Sequence, residues 1–175
     1  MTLTFRKAVA ADAAIIQPLV KSAYRGDSSR KGWTTEADLL NDERISEASV
    51  VDKINNPDGA ILLAHDEAGQ LAACCEVASK GDGIGYFGLF AVDPDRQAGG
   101  FGKLVLAEAE RYLKESWGVK TIEMWVIWTR KELIEWYVRR GYVMTDRIQE
   151  FPYGHLVNGA ALRDDLHFVI LTKDI

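Results

Sequence analysis

Three closely spaced glycines mark the part of the sequence whose residue types are best suited to binding a ligand. Gly99, Gly100 and Gly102 follow an apolar run and precede an amphipathic segment that begins at Lys103. Because glycine has no Cβ, its backbone N–H can approach an anion closely, and at a helix start such groups carry the positive end of the helix dipole. Lys103 and Arg96 would add charge-assisted hydrogen bonds. The pattern therefore predicts a phosphate-binding turn, with a plain loop as the alternative.

Two common nucleotide-binding motifs do not match this turn. A Walker loop needs GxxxxGK followed by Ser or Thr, and a Rossmann fingerprint needs GxGxxG after the first strand of its sheet. Here the glycines stand at 99, 100 and 102, and several predicted strands come before them. A protein that binds ATP or NAD through this turn is therefore the least favoured interpretation.

The composition is that of a chain that can bury a core of its own. Of the 175 residues, 47% are hydrophobic and 27% are charged, and the formal net charge is −5. This charge argues against nucleic acid or anionic lipid as a general partner, so a bound polyanion must be held locally. No apolar stretch approaches the roughly 20 residues that cross a bilayer, and residues 1–7 lack the pattern of a secretion signal. We therefore expect a cytoplasmic chain with no membrane partner, folded as a single domain over 1–175.

Hydrophobic periodicity predicts the elements that position the turn. Alternating apolar and polar residues favour strands, and apolar residues repeated every three to four positions favour helices. Strands are predicted at 3–9, 60–65, 71–79, 84–92, 121–128, 142–151 and 166–173. Helices are predicted at 12–24, 36–41, 48–54, 103–117 and 130–141, and the one at 36–41 rests on a capping-box pattern of Thr35 with Asp38.

The order of these elements predicts an α/β fold. An antiparallel meander followed by alternating strands and helices implies a central mixed sheet of about seven strands, flanked by about four helices on both faces. The strand, helix and strand of residues 84–128 should form a right-handed parallel crossover. The C-terminal strands could pair across a homodimer or within one subunit, and both arrangements satisfy the pattern.

Two short motifs add a family resemblance to this outline. Residues 97–102 read QAGGFG, and a second motif consists of Trp136, Tyr137, Gly141 and Tyr142. The first resembles the Gln/Arg, two residues, Gly, one residue, Gly/Ala motif of the GNAT superfamily, the acyl-CoA-dependent N-acyltransferases. The second resembles the FYxxxGF signature of the same family. The family's elements can be laid over roughly residues 3–173, although the specific motifs cover only 86–142.

The resemblance implies that acetyl-CoA binds along the fourth predicted strand and the turn that follows it. The backbone of 89–92 would hold the pantetheine arm, the Phe90 N–H would donate to the thioester carbonyl, and the main chain of 97–103 would wrap the pyrophosphate. Arg130 stands about where many members have an Asn that touches the cofactor. The predicted cofactor-binding residues are Phe90, Ala91, Val92, Gln97, Ala98, Gly99, Gly100, Phe101, Gly102, Lys103 and Arg130.

The same resemblance implies a catalytic acid and requires a base. The aligned tyrosine of the family often protonates the departing CoA thiolate, which makes Tyr137 the predicted general acid. Some members carry a Glu on the fourth strand, but here the aligned residue is Tyr86, a poor base near neutral pH. Glu76 and Glu123 are the predicted substitutes, because a carboxylate in an apolar strand can have a raised pKa. The alternatives are a purely anchoring role for the Tyr137 ring and solvated positions for both carboxylates.

The resemblance thus predicts an N-acetyltransferase that moves the acetyl group of acetyl-CoA to a primary amine of a small molecule or peptide in a ternary complex. No metal is expected, and three scattered histidines lack ligand spacing. A non-catalytic acyl-CoA-binding regulatory module is the alternative, because the fourth-strand Glu is missing. The loop 149–165 is long enough to cover an acceptor pocket. Aromatic candidates for lining that pocket are Trp33, Trp125, Trp128, Phe151 and Tyr153.

Overall fold

The computed structural model describes residues 2–175, apart from the side chain of Ala98. Its strands are β1 (Thr4–Lys7), β2 (Gly59–His65), β3 (Leu71–Gly81), β4 (Ile84–Val92), β5 (Thr121–Ile127), β6 (Val143–Glu150) and β7 (His167–Asp174). Its helices are α1 (Ala13–Tyr24), α2 (Gly26–Ser29), α3 (Glu47–Asn55), α4 (Phe101–Trp117) and α5 (Lys131–Val138). Short 3₁₀ helices occur at Ala10–Asp12, Pro94–Gly99 and Tyr153–His155.

One mixed sheet contains the seven strands in the order β1-β2-β3-β4-β5-β7-β6. Strands β1 to β4 form an antiparallel meander, β4 and β5 are parallel, and β7 runs antiparallel between β5 and β6. The predicted α/β fold with a seven-stranded mixed sheet is therefore confirmed, with five flanking helices against about four predicted. Within residues 2–175, no helix has both the length and the apolar character needed to cross a bilayer.

Helices cover both faces of the sheet. α4 and α5 pack on one face, where Leu106 and Leu113 join a core cluster with the inward residues of β2 to β5. α1 and α3 cover the other face through Ile16 and Val50. Alternate residues of β2 belong to the two clusters, because successive side chains of a strand point to opposite faces. Covering on both faces explains why these strands are apolar almost throughout.

The sheet opens between β4 and β5, and this opening creates the space for a site. Among the described residues, only Ile84, Gly85 and Tyr86 of β4 pair with β5, whereas β4 continues to Val92. The β3–β4 register shifts nearby, and Leu89 there has a positive φ of 46°. Such a bulge bends a strand and re-aims its backbone groups. The edge of β4 beyond Tyr86 therefore faces open space instead of a neighbouring strand.

The helix predicted at 36–41 does not form. These residues contain a hydrogen-bonded turn at 37–39, and the segment also makes a β-bridge to the loop after β6. The reason is electrostatic, because the Glu36 side chain turns inward to the guanidinium groups of Arg25 and Arg130. A local capping pattern carries no information about partners that lie 11 and 94 residues away.

The C-terminal strands pair within the chain. β7 lies between β5 and β6, and β6 forms the outer edge of the sheet with Val143 and Ile148 exposed. This internal pairing satisfies one of the two arrangements that the sequence allowed. A homodimer stays a prediction.

Candidate functional site

Two cavities meet where β4 and β5 diverge, and both are lined by Tyr24, Phe90, Arg130, Leu133 and Tyr137. The turn cavity, of about 280 Å³, is further lined by Ala23, Trp33, Thr34, Val92, Gln97, Gly100, Gly102, Lys103 and Trp136. The loop cavity, of about 190 Å³, is further lined by Arg25, Glu36, Asp42, Arg44, Tyr86, Phe87, Gly88, Leu89, Met124, Trp125, Val126, Ile127, Phe151, Pro152, His155, Leu156 and Phe168. The shared residues form a common wall at the centre of the sheet opening.

The turn cavity collects most of the predicted cofactor-binding residues. Gly100 caps α4 with a positive φ of 79°, a conformation that favours glycine. A Cβ on Gly102 would lie 3.4 Å from the rings of Phe90 and Trp136. The unpaired N–H groups at the positive end of the 17-residue helix α4 therefore border the cavity. The predicted residues that line it are Phe90, Val92, Gln97, Gly100, Gly102, Lys103 and Arg130.

Other residues predicted for the turn do not line this cavity. Ala91 is buried on the opposite face of the sheet, Phe101 packs against the core, and Gly99 is exposed outside the cavity wall. The side chain of Ala98 lies outside the described part of the structure. Arg96, expected to contact an anion, instead forms an ion pair with the turn between β2 and β3. Of the two cations that flank the glycines, Lys103 is therefore the one at the cavity.

The side chain of Gln97 ties the turn to the segment after α2. Its Oε1 accepts a hydrogen bond from the Trp33 N–H at 3.1 Å, and its Nε2 donates to the Val92 carbonyl at 3.2 Å. A Cβ on Gly32 would lie 1.9 Å from Gln97 Oε1, so a side chain at position 32 would displace the Gln97 amide. The contact holds Trp33 beside the cavity, with its ring 6.3 Å from that of Trp136.

Tyr137 lies at the junction of the two cavities. It is 4% exposed, and its ring packs edge-on against Phe87 and Tyr142 at centroid distances of 6.5 and 5.8 Å. Within residues 2–175, no group is hydrogen-bonded to its hydroxyl, which leaves that hydroxyl available to a ligand. Burial raises the pKa of Tyr137 well above its ordinary range. The phenol is therefore protonated at neutral pH.

A buried cluster of charges forms one wall of the loop cavity. Glu36 lies between Arg25 and Arg130, with its Oε2 2.7 Å from Arg130 Nη1. Arg25 also donates through Nε to Asp42 at 2.7 Å. Burial alone would raise the pKa of Glu36, but the charges of Arg130 and Arg25 outweigh it and hold the pKa below its ordinary value. The pKa of Asp42 is lowered in the same way by Arg25.

Sequence analysis did not assign a role to this cluster. The sequence has many charged residues between 25 and 44, but such a density fits a solvated surface as well as a buried cluster. Arg130, predicted as a cofactor contact, lines both cavities and directs its guanidinium to Glu36 and to Thr34 at 2.8 Å. Its charge therefore already has a partner within the chain.

The two predicted bases lie outside both cavities. Lys53 Nζ donates to the two carboxylate oxygens of Glu76 at 2.9 and 3.0 Å. Glu123 is paired with Lys80 and with Arg147, the latter at 3.3 Å. Burial by itself raises the pKa of Glu123, but Lys80 and Arg147 outweigh it and leave the pKa lowered. The prediction that the pKa of Glu123 is raised is therefore wrong, because β5 places this carboxylate beside two cations.

The loop after β6 closes one side of the loop cavity, and its Phe151 and His155 line that cavity. The Val157 N–H donates to the Asp42 carboxylate at 2.9 Å, which docks the loop on the charged cluster. His155 is exposed at the rim. The sequence pattern indicated only that the histidines lack ligand spacing, and it did not place His155 at a cavity.

The predicted aromatic residues divide between the two cavities. Trp125 and Phe151 line the loop cavity, and Trp33 lines the turn cavity. Trp128 and Tyr153 line neither cavity; the Tyr153 hydroxyl accepts the Leu166 N–H at 2.8 Å. In the described part of the chain, no three His, Cys, Asp or Glu side chains are grouped as metal ligands.

Comparison with known proteins gives a family and a fold. The model of the acetyltransferase (GNAT) family matches residues 16–142, and no curated protein sequence matches the chain. The PaiA N-acetyltransferase from Thermoplasma acidophilum, in complex with coenzyme A, has a TM-score of 0.70 at 16% identity, covering 100% of both chains. The ribosomal-protein-S18-alanine N-acetyltransferase from Escherichia coli has a TM-score of 0.71 at 16% identity, covering 99% of this chain and 94% of the other. A chimeric spermidine N-acetyltransferase from Vibrio cholerae has 0.70 at 15%, covering 99% and 96%.

Proposed function

The chain belongs to the acetyltransferase (GNAT) family, and from this premise we propose that it transfers the acetyl group of acetyl-CoA to a primary amine of a small molecule or peptide. The observation that carries the proposal is the junction of two cavities at Tyr137. One cavity ends at a glycine-rich helix start suited to phosphate, and the other has polar and aromatic walls suited to an acceptor. Two cavities with a shared wall allow both substrates to be bound at once.

Acetyl-CoA fits the turn cavity as the co-substrate. Its pyrophosphate would accept hydrogen bonds from the backbone N–H groups of Gly100 and Gly102, at the positive end of α4, and would pair with Lys103. The coenzyme A bound in the Thermoplasma acidophilum relative supports this choice of ligand. The pantetheine arm would lie along the unpaired edge of β4, with Phe90 and Val92 lining its path.

The reaction that follows is direct attack by the amine. The nitrogen lone pair forms an N–C bond to the thioester carbonyl carbon, and the C–S bond breaks with its electron pair going to sulfur. The Phe90 N–H stabilises the negative charge that develops on the carbonyl oxygen, as an oxyanion-hole donor does. Tyr137 gives its proton to the departing thiolate, and a base takes the proton that the ammonium must lose.

We assign the base to His155 by the chemistry of the loop cavity. Glu36 and Asp42 have lowered pKa values and are therefore weak bases. Burial raises the pKa of Tyr86, so its phenol also stays protonated near neutral pH. His155 is the lining side chain with an imidazole, whose unprotonated ring nitrogen can accept a proton. Its position at the rim would let it act on an amine that enters from solvent.

Replacing His155 with glutamine tests this assignment. We expect kcat/KM at pH 7 to fall roughly 100-fold, the lower end of the usual contribution of a general base. The deficit should shrink at alkaline pH, because more of the amine then arrives already deprotonated. The measurement is a pH profile of kcat/KM for wild type and variant.

Glu76→Gln and Glu123→Gln are the comparison variants for that profile. These carboxylates, the bases predicted from sequence, lie outside both cavities and could act only through water. With the base at His155, both variants should keep the wild-type profile. If either of these variants loses the acidic limb of the kcat/KM profile while His155→Gln keeps the wild-type profile, that carboxylate is the base and His155 is not.

Replacing Gly102 with valine tests the co-substrate site. A Cβ at this position already lies 3.4 Å from two aromatic rings, so the branched side chain would fill the passage beside the helix start. We expect the Kd for coenzyme A, measured by calorimetry, to rise at least about tenfold, equivalent to about 1.4 kcal/mol. Gly154→Val is the matched control, because a Cβ at Gly154 meets nothing within 4 Å. Equal coenzyme A affinity of the two variants would contradict the site.

The experiment that tests the function itself combines binding with turnover. The purified chain is incubated with acetyl-CoA and a panel of amines, and free thiol and acetylated product are both measured. Product with stoichiometric thiol supports the acetyltransferase. An increase of Tm with coenzyme A, but no product from any amine, would support the alternative of a regulatory acyl-CoA-binding module. Stabilisation by ATP or NAD and not by coenzyme A would refute both.

A further inference from the structure

We propose that the acceptor is an amine that also carries a carboxylate, and that Arg44 binds this carboxylate in the loop cavity. The inference rests on the proposed function, because it names the acceptor class for the same site. The position of the Arg44 side chain is the first observation that supports it. Arg44 is half-buried, lines the loop cavity, and holds its guanidinium carbon 4.9 Å above the ring of Tyr24.

The loop cavity contains one cation more than its carboxylates neutralise. Its charged lining residues are Arg25, Glu36, Asp42, Arg44 and Arg130. Glu36 and Asp42 are both occupied by Arg25 and Arg130. Within residues 2–175, no carboxylate forms an ion pair with Arg44 and no acceptor is hydrogen-bonded to its guanidinium. Three guanidinium groups therefore share two carboxylates, and Arg44 is the one left over.

A surplus cation in a partly desolvated cavity favours an anionic ligand. The planar guanidinium presents parallel N–H donors that match a carboxylate in a bidentate pair, and such charge-assisted pairs are about twice as strong as neutral hydrogen bonds. An acceptor with only an ammonium group would bring a further positive charge to a wall that already has an excess. A molecule with both groups brings its own compensating charge.

The backbone at Arg44 is held in place from both sides. Arg44 has a positive φ of 68°, which is uncommon for a residue with a side chain and costs conformational energy. Asp42 is fixed by its bond from Arg25, and the buried Ile45 donates its N–H to the Glu43 carbonyl at 2.8 Å. These neighbours hold the backbone of Arg44 in this conformation at the wall of the loop cavity. Strain of this kind is concentrated where a side chain must point at a ligand.

The other walls of the loop cavity indicate what the rest of the acceptor is. Trp125, Phe151 and Phe168 form a continuous aromatic wall, with ring centroids 6.0 and 5.6 Å apart. The volume of about 190 Å³ is below the roughly 300–1,000 Å³ of pockets for drug-sized ligands. A single free amino acid with an aromatic or large apolar side chain meets all three requirements of charge, surface and size.

The test compares acceptors that differ only in the carboxylate. Acetylation of L-phenylalanine, phenylalaninamide and 2-phenylethylamine is measured with the full chain and saturating acetyl-CoA, and kcat and KM are determined separately. We expect kcat/KM for phenylalanine to exceed that for both other amines at least tenfold, mainly through KM. In Arg44→Met this ratio should fall to about 1, a loss of roughly tenfold or more, and Arg44→Lys should retain part of it. Arg30→Met, an exposed change outside both cavities, should leave the ratio at the wild-type value.

The outcomes separate this inference from the function on which it rests. If amines without a carboxylate are acetylated as well as phenylalanine, or if Arg44→Met keeps the wild-type ratio, the inference is overturned while the acetyltransferase stands. If no amine is acetylated, the proposed function fails. The inference is then decided by ligand binding in the presence of coenzyme A. It survives if phenylalanine raises Tm and 2-phenylethylamine does not, and fails if both or neither do. Unchanged coenzyme A affinity of Arg44→Met verifies that the variant is folded.

Discussion

Replacing Tyr137 with phenylalanine is expected to lower kcat roughly 100- to 10,000-fold, the range that general acids contribute. The reason is that the phenol is kept protonated by burial, makes no hydrogen bond within the described residues, and lies at the junction of the two cavities. Without it, the thiolate would have to leave without a proton. The aromatic ring remains, so its packing against Phe87 and Tyr142 should persist and the Kd for coenzyme A should stay close to wild type.

Single-turnover kinetics across pH 6 to about 9 would measure the effect on the chemical step. Tyr142→Phe is the matched control, because it also removes one buried hydroxyl, bonded to Glu110 at 3.2 Å, but outside both cavities. If Tyr137→Phe turns over at the wild-type rate at every pH, the acid role is refuted and Tyr137 is left as a packing residue. An equal loss of rate in both variants would point to a structural effect instead.

Replacing Glu36 with glutamine is expected to destabilise the fold by about 3–5 kcal/mol, the usual cost of removing one partner from a buried ion pair. Glu36 is 5% exposed and lies between two guanidinium groups, so the neutral amide would leave a buried excess of positive charge. Urea denaturation at neutral pH would measure the free energy of unfolding. Glu43→Gln is the matched control, since its exposed pair with Lys21 should contribute less than about 1 kcal/mol.

The loss of unfolding free energy in Glu36→Gln is also expected to depend on pH, with Glu43→Gln again as the control. The pKa of Glu36 in the folded chain is lowered below its ordinary value of 4.5. A group with a lowered folded-state pKa stabilises the fold above that ordinary value, and the stabilisation is lost as the pH falls through the folded-state pKa. The difference in unfolding free energy between wild type and Glu36→Gln should therefore be largest at neutral pH and shrink in acid. A difference that is constant with pH, or no larger than that of Glu43→Gln, would contradict the ionised state of Glu36.

The wall of the turn cavity was predictable because its residues are contiguous. The glycines, the cation at 103 and the helix that follows lie within one short segment, and a helix start positions its own N–H groups without help from distant residues. The same holds for Tyr137, which is carried by an amphipathic helix with a recognisable motif. What the local pattern could not indicate was the direction of each side chain. Arg96 forms an ion pair with Asp66, and the Gln97 amide is hydrogen-bonded to the backbone of Trp33 and Val92.

The wall of the loop cavity was not predictable in the same way. Arg25, Glu36, Asp42 and Arg44 lie in a polar segment that has no hydrophobic periodicity. The capping pattern within that segment, Thr35 with Asp38, predicted a helix that does not form. Glu36 meets Arg130 across 94 residues of chain, and Val157 reaches Asp42 across 115. Glu123 likewise meets cations from two other strands, Lys80 of β3 and Arg147 of β6, which reverses the expected direction of its pKa shift.

By itself, the sequence determined the α/β fold, the mixed seven-stranded sheet, the glycine-rich turn before α4 and the family resemblance. These follow from hydrophobic periodicity and from motifs in which interacting groups are close in sequence. Only the tertiary structure decided which carboxylates are paired, that the two cavities meet at Tyr137, and that Arg44 forms no ion pair among the described residues. Coulomb energy depends on distances between charges in space, and those distances exist only after the sheet and its loops have brought distant segments together.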